Sequence, residues 1–132
     1  MCAEQSLANF ETCCLAEVFL PNIDSKEEFF DILSLLYRIN KHSLTLPCHH
    51  NETEEIVFKN MRMGIGLTGI LQASEEQLSW MDAGYRFLRS LDERYSILNG
   101  FNTSIKLTTV KPSGTLSLLP GVTPGIHPGY AR

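Results

Sequence analysis

No apolar run in the sequence approaches the roughly 18 residues that a membrane helix needs, so no membrane partner is expected. Basic charge is scarce. Eleven Lys and Arg stand against 15 Asp and Glu, for a net charge of −4. Coating nucleic acid takes a basic stripe, so no nucleic-acid partner is expected either. The amino-terminal residues lack a basic region ahead of an apolar stretch, which excludes a secretory signal from the reading. Without one, the sequons Asn51-Glu52-Thr53 and Asn102-Thr103-Ser104 read as chance. For the same reason the four cysteines read as reduced or redox-active thiols of a cytoplasmic chain rather than as two structural disulfides. There is no internal repeat and no low-complexity segment.

What is present is an ordinary globular composition, 43% hydrophobic and 20% charged, over 132 residues. That is one domain's worth of chain, able to bury about two-thirds of its unfolded surface. Residues 15–20 are a short apolar run closed by Pro21-Asn22 and read as a strand. Ser25-Lys26-Glu27-Glu28 has the form of a capping box. The apolar positions after it, from Phe29 to Ile39, recur at helical spacing and predict a helix ending near Lys41. Residues 54–72 read as a second helix, with glycines in its second half where it packs closely on a neighbour. Ser74-Glu75-Glu76-Gln77 caps a third, which Asn99-Gly100 stops. Residues 105–110 are rich in β-branched side chains and read as a second strand. The predicted order is loop, strand, three helices, strand, loop, part of an α/β arrangement whose two strands need further partners.

Four stretches invite a chemical reading. In the first fourteen residues, Cys2, Glu4, Cys13 and Cys14 crowd together. In an extended backbone Cys2 and Glu4 point the same way, setting a sulfur and a proton acceptor on one side of a substrate. On spacing alone, a frayed terminus with buried structural cysteines is the simpler account. Residues 112–117 can cradle an anion, through the close backbone approach that Gly114 permits, successive N–H groups and the hydroxyls of Ser113, Thr115 and Ser117. A strand-to-helix turn capped by Ser or Thr reads equally well there. Cys48-His49-His50 has no second Cys/His pair at metal-ligand spacing and reads as a polar loop; no metal is expected. Gly64-Ile65-Gly66-Leu67-Thr68-Gly69 fits G-x-G-x-x-G, with Asp82 near the distance of the ribose-binding acid. It lacks the preceding strand and immediate helix of a dinucleotide fold.

Cys2-Ala3-Glu4-Gln5-Ser6-Leu7, followed by Glu11-Thr12-Cys13-Cys14-Leu15-Ala16-Glu17-Val18-Phe19, closely resembles the active-site finger loop of ribonucleotide reductases, most of all the adenosylcobalamin-dependent (class II) enzymes. Lys111-Pro112-Ser113-Gly114-Thr115-Leu116-Ser117-Leu118-Leu119 and the block from Gly121 to Arg132 resemble that family's substrate-phosphate loop and the segment after it. A weaker third match, Asn60-Met61-Arg62-Met63-Gly64-Ile65-Gly66, lies between them. The blocks occur in the family's order across almost the whole chain.

The resemblance implies a helix-rich part of a ten-stranded α/β barrel, with residues 1–14 in the finger loop and 111–132 forming the phosphate loop and the adjoining segment. It implies thiyl-radical reduction of the 2′-hydroxyl of a ribonucleoside di- or triphosphate. Cys2 matches the thiyl position, Glu4 the general base and Cys13 one member of the reducing cysteine pair; Ser113, Gly114, Thr115, Leu116 and Ser117 match the phosphate-binding residues. It also implies adenosylcobalamin, bound mainly by parts outside this chain, a thioredoxin-type reductant and a complementing upstream segment. The family's Asn-Pro before the first cysteine is missing, with Met1 at the Pro position, and so is the second redox cysteine. The chain is therefore expected to be a fragment or split-gene product, inactive alone. Cys14 is expected to be a packed thiol, and His127 has no assigned role. The rival functions are a dinucleotide-binding domain built on Gly64, Gly66 and Gly69, and an inert remnant or interaction module.

Overall fold

A computed structural model describes residues 6–110. Strand β1 (Cys14–Phe19) leads through a 3-10 turn at Leu20–Asn22 into helix α1 (Lys26–Ser43). Helix α2 (Asn51–Asn60), strand β2 (Met63–Thr68), a second 3-10 turn at Ile70–Gln72 and helix α3 (Glu75–Asn99) come next. The strands are parallel, with Cys14 opposite Met63 and Phe19 opposite Thr68. Parallel strands cannot be joined by a tight turn, and the connection over α1 and α2 supplies the crossover.

The predicted ends of the long helices follow from their caps. Ser25 Oγ accepts the Glu28 N–H at 3.2 Å. The Glu28 carboxylate reaches back one residue further than a capping box requires, to the Asp24 N–H. The box at α3 is complete, with Ser74 and Gln77 each accepting the other's N–H. Gly100 then takes the left-handed conformation (φ 70°) that ends the helix. Helix α1 runs to Ser43, two residues past the expected stop.

The predicted helix over 54–72 is corrected. Helix α2 covers only 51–60, and Met63–Thr68 is a strand buried at nearly every position. Such a buried strand reads as a continuous apolar run and offers no alternation. The close-packing role expected of its glycines moves accordingly. A Cβ on Gly66 would lie 3.0 Å from the Glu17 carboxylate and 3.2 Å from the Thr109 carbonyl, so strands approach there, not helices. The helix–helix contact belongs to Gly84 of α3, where a Cβ would come within 2.7 Å of the Phe29 ring on α1.

The predicted strand at 105–110 is reduced to one parallel bridge, Ile65 to Thr108, flanked by hydrogen bonds from Met63 N–H to Lys106 O and from Ile65 N–H to Leu107 O. β2 is thus central, with β1 on one side and this extended segment on the other. Helix α1 packs on α3 and on both strands. Val18, Phe29, Leu33, Tyr37, Met63 and Leu88 form the middle of the core.

Candidate functional site

Cys2, Glu4 and the five residues Ser113, Gly114, Thr115, Leu116 and Ser117, with His127, lie outside the described residues. The described part of the chain is the frame that leads into each of those blocks, and Cys13 itself.

Cys13 directly precedes β1 and is half-buried. The approach to it is a tight turn. The Glu11 N–H donates to the Ala8 carbonyl at 3.1 Å, and the Ala8 N–H donates to Glu11 Oε1 at 2.8 Å. The turn places Phe10 at φ 65°, a conformation that bulky residues rarely adopt. The Phe10 ring is 60% exposed and meets His50 edge-on.

The Glu11 side chain is fully buried. Besides the Ala8 N–H it accepts from Asn60 Nδ2 at 2.7 Å and from Arg62 Nε at 3.1 Å. Burial alone would push this carboxyl up, but the Ala8 N–H, the Asn60 amide and the Arg62 guanidinium outweigh it and hold Glu11 below the usual carboxylate range. Asn60 and Arg62 flank Met61, which ends α2 in the left-handed region (φ 46°, ψ 42°) and is itself fully buried. Asn60 also works in the other direction, since its carbonyl accepts the Ile105 N–H at 3.0 Å. The 60–66 block therefore joins the exit of the residue 1–14 stretch to the entry of the 111–117 stretch.

A buried polar network holds the same entry from the helix side. Lys41 and Asp92 pair at 2.9 Å with side chains essentially without exposure. Asp92 also accepts from Tyr37 Oη (2.7 Å), Ser96 Oγ (3.2 Å) and the Ser104 N–H (2.8 Å). Lys41 also donates to the Asn102 carbonyl and to Ser104 Oγ. Burial pushes Asp92 up, but the bonds from Lys41 and Tyr37 prevail and its carboxyl stays below the ordinary range. Arg89 completes the grip on Ser104 by donating to its carbonyl at 2.9 Å. The sequence carries no local signal for the pairings that define these two clusters, since Lys41 lies 51 residues from Asp92 and 63 from Ser104, and Glu11 lies 49 from Asn60 and 51 from Arg62.

Cys14 packs against the core, as expected of a structural thiol, and burial raises its pKa. Cys48-His49-His50 is a loop that ends by capping α2. The dinucleotide geometry is not formed: Gly64 and Gly66 lie inside β2, and α3 begins only at Glu75. Asp82 pairs with Arg86 on an exposed face of α3. An apolar cavity of about 580 Å³ opens between α3 and the sheet, lined by Leu33, Ile65, Leu67, Met81, Leu88 and Val110 among others.

No family model matches the chain. It is 41% identical over 133 residues to the adenosylcobalamin-dependent ribonucleoside-triphosphate reductase of Euglena gracilis, covering 96% of this chain and 18% of that relative. The probable enzyme of the same name from Dictyostelium discoideum is 36% identical over 131 residues, 96% of this chain and 17% of its own length. The Lactobacillus leichmannii reductase is 31% identical, covering 98% of this chain and 22% of the relative. The crystal structure of a B-12-dependent (class II) ribonucleotide reductase superposes with a TM-score of 0.85 at 30% identity, over 98% of this chain and 22% of that one. The chain spans about a fifth of the length of the curated relatives it matches. By sequence and by fold, it is a homologue of one contiguous segment of the class II ribonucleotide reductase chain.

Proposed function

We propose that this chain supplies the finger-loop and phosphate-loop segment of an adenosylcobalamin-dependent ribonucleoside-triphosphate reductase, working beside a complementing reductase segment in the cytoplasm. The observation that supports this most is the match of 96% of the chain to the Euglena enzyme at 41% identity, together with the fold match. The choice of triphosphate rests on the names of the relatives.

In the proposed reaction the Cys2 thiyl takes the 3′ hydrogen of the ribose, and Glu4 accepts the 3′-hydroxyl proton. The C2′–O bond breaks and the oxygen leaves as water. The thiols of Cys13 and a second cysteine, contributed by the complementing segment, give up two electrons and two protons and form one S–S bond. The 3′ hydrogen is returned, so Cys2 ends as a thiyl and C2′ has gained a hydrogen. A thioredoxin-type dithiol then reduces the disulfide by exchange. The substrate phosphates are assigned to the backbone and hydroxyls of Ser113, Gly114, Thr115, Leu116 and Ser117.

Adenosylcobalamin, the radical source in enzymes so named, is assigned to parts outside this chain. A cavity of about 580 Å³ suits a drug-sized body, and the cofactor is several-fold larger. The described residues therefore do not fit it, and no step is routed through it.

The test is complementation. The chain is mixed with a reductase segment covering the remainder of the family's length, with adenosylcobalamin, a ribonucleoside triphosphate and a dithiol, and deoxynucleotide is measured. Turnover should require both polypeptides and vanish with Cys2→Ser or Cys13→Ser. Full turnover with either variant removes that cysteine from the mechanism.

A further inference from the structure

We propose that Glu11, Asn60 and Arg62 form a clamp that fixes the Cys13 thiol at the head of β1, making them positioning residues for the thiol–disulfide step; this rests on the reading of Cys13 as a redox thiol.

The first support is the geometry of Glu11. A carboxylate with no exposure that accepts from a turn N–H, an amide and a guanidinium cannot shift without stranding a buried charge. Cys13 lies two residues beyond it, within about 7 Å of chain. The register that sets Cys14 opposite Met63 brings Cys13 level with Arg62 when it is continued by one residue. The clamp and the thiol therefore share one end of the sheet.

The second support is the backbone conformation beside the clamp residues. Among the described residues, the two non-glycine residues with positive φ are Phe10 and Met61. Phe10 precedes Glu11, and Met61 separates Asn60 from Arg62. Each such conformation costs on the order of 1–3 kcal/mol and persists only where the surroundings over-determine it. The Phe10 conformation is not needed to close the core, because Phe10 is solvent-exposed, whereas Met61 is itself a core residue. Each does aim a clamp member. The turn at Phe10 folds the Glu11 carboxylate back on the Ala8 N–H, and the left-handed Met61 ends α2 so that residues on both sides of it reach the same carboxylate. Asn60 further ties the clamp to the Ile105 backbone, so displacement of Cys13 is coupled to the segment that enters residues 111–117.

The test is the iodoacetamide reactivity of the full chain, read residue by residue from fragmentation of the alkylated peptides. Cys48, in the loop before α2, serves as the internal reference. Asn60→Ala removes a neutral donor and leaves every charge in place, so it reports position and not electrostatics. Glu11→Ala removes the hub. Both variants should alkylate Cys13 roughly ten-fold or more faster relative to Cys48, since a charge-assisted buried bond is lost. An unchanged Cys13/Cys48 ratio in Asn60→Ala overturns the clamp, whether both rates are unaltered or both rise together from general loosening. Acceleration confined to Glu11→Ala also overturns it, because a change of charge would suffice. The redox reading stands or falls separately: if complemented turnover survives Cys13→Ser, that reading fails whatever the alkylation shows.

Discussion

Two adjacent, half-buried cysteines mark the point where this chain turns from loop to sheet. Cys13 precedes the first strand, whereas Cys14 is its first residue and packs against the core. Burial raises the Cys14 pKa, and the neighbouring Cys13 adds to the rise. The thiolate, not the thiol, is the reactive form. The rate of Cys14 alkylation should therefore climb with pH along a curve displaced above that of a free cysteine, whose pKa is about 8.5. Peptide-resolved alkylation between neutral and alkaline pH measures this. A Cys14 that titrates at or below the free-cysteine value would contradict its assignment as a packed, chemically idle thiol.

Helices α1 and α3 are joined at one end by apolar fit and at the other by charge. Phe29 and Leu33 press against Gly84, and further along the pair Lys41, Asp92 and Tyr37 form the buried network that grips Ser104. Breaking a buried pair costs more than the pair contributes, because the surviving charge has no solvent. Lys41→Met should lower unfolding free energy by about 3–5 kcal/mol, read by urea titration of the chain. The double variant Lys41→Met/Asp92→Leu should recover part of it; a single variant as stable as the parent would sink the argument. The pH sign follows from Asp92, whose folded-state pKa lies below its unfolded value near 4. Its contribution is present above that value and is lost as pH falls through the lower, folded-state pKa. Glu11 shifts in the same direction and adds to the same acid loss.

At the scale of the molecule, the sheet is small: among the described residues it has two strands and one bridged segment. β2 has neighbours on both sides, while β1 is paired only with β2 among the described residues. Leu15 on β1 is 36% exposed. Parallel sheets are ordinarily covered on both faces, and small sheets gain independent stability from further strands. Adding the proposed complementing segment should slow amide exchange across residues 14–19 by about ten-fold or more, the factor that each ~1.4 kcal/mol of added local stability confers. Unchanged exchange on addition of a segment that restores turnover would show that β1 gains no strand partner in the assembly.

Caps and periodicity were enough to place α1 and α3, since Ser25, Ser74 and Gly100 act on backbone groups within a few residues of themselves. The order of the family blocks was likewise legible, because motif residues sit side by side in the chain. Local sequence could not tell that Met63–Thr68 is a strand. Its identity depends on hydrogen bonds to Cys14–Phe19 and to residues 106–109, both remote in sequence. Nor could it reveal that Glu11 is held by Asn60 and Arg62, or Ser104 by Lys41, Asp92 and Arg89. Short-range physics (capping, helical spacing, turn chemistry) was determined by the sequence alone. Which polar side chains meet in the dark of the core was decided only by tertiary packing, because desolvation forces buried charges to find partners wherever the fold happens to bring them.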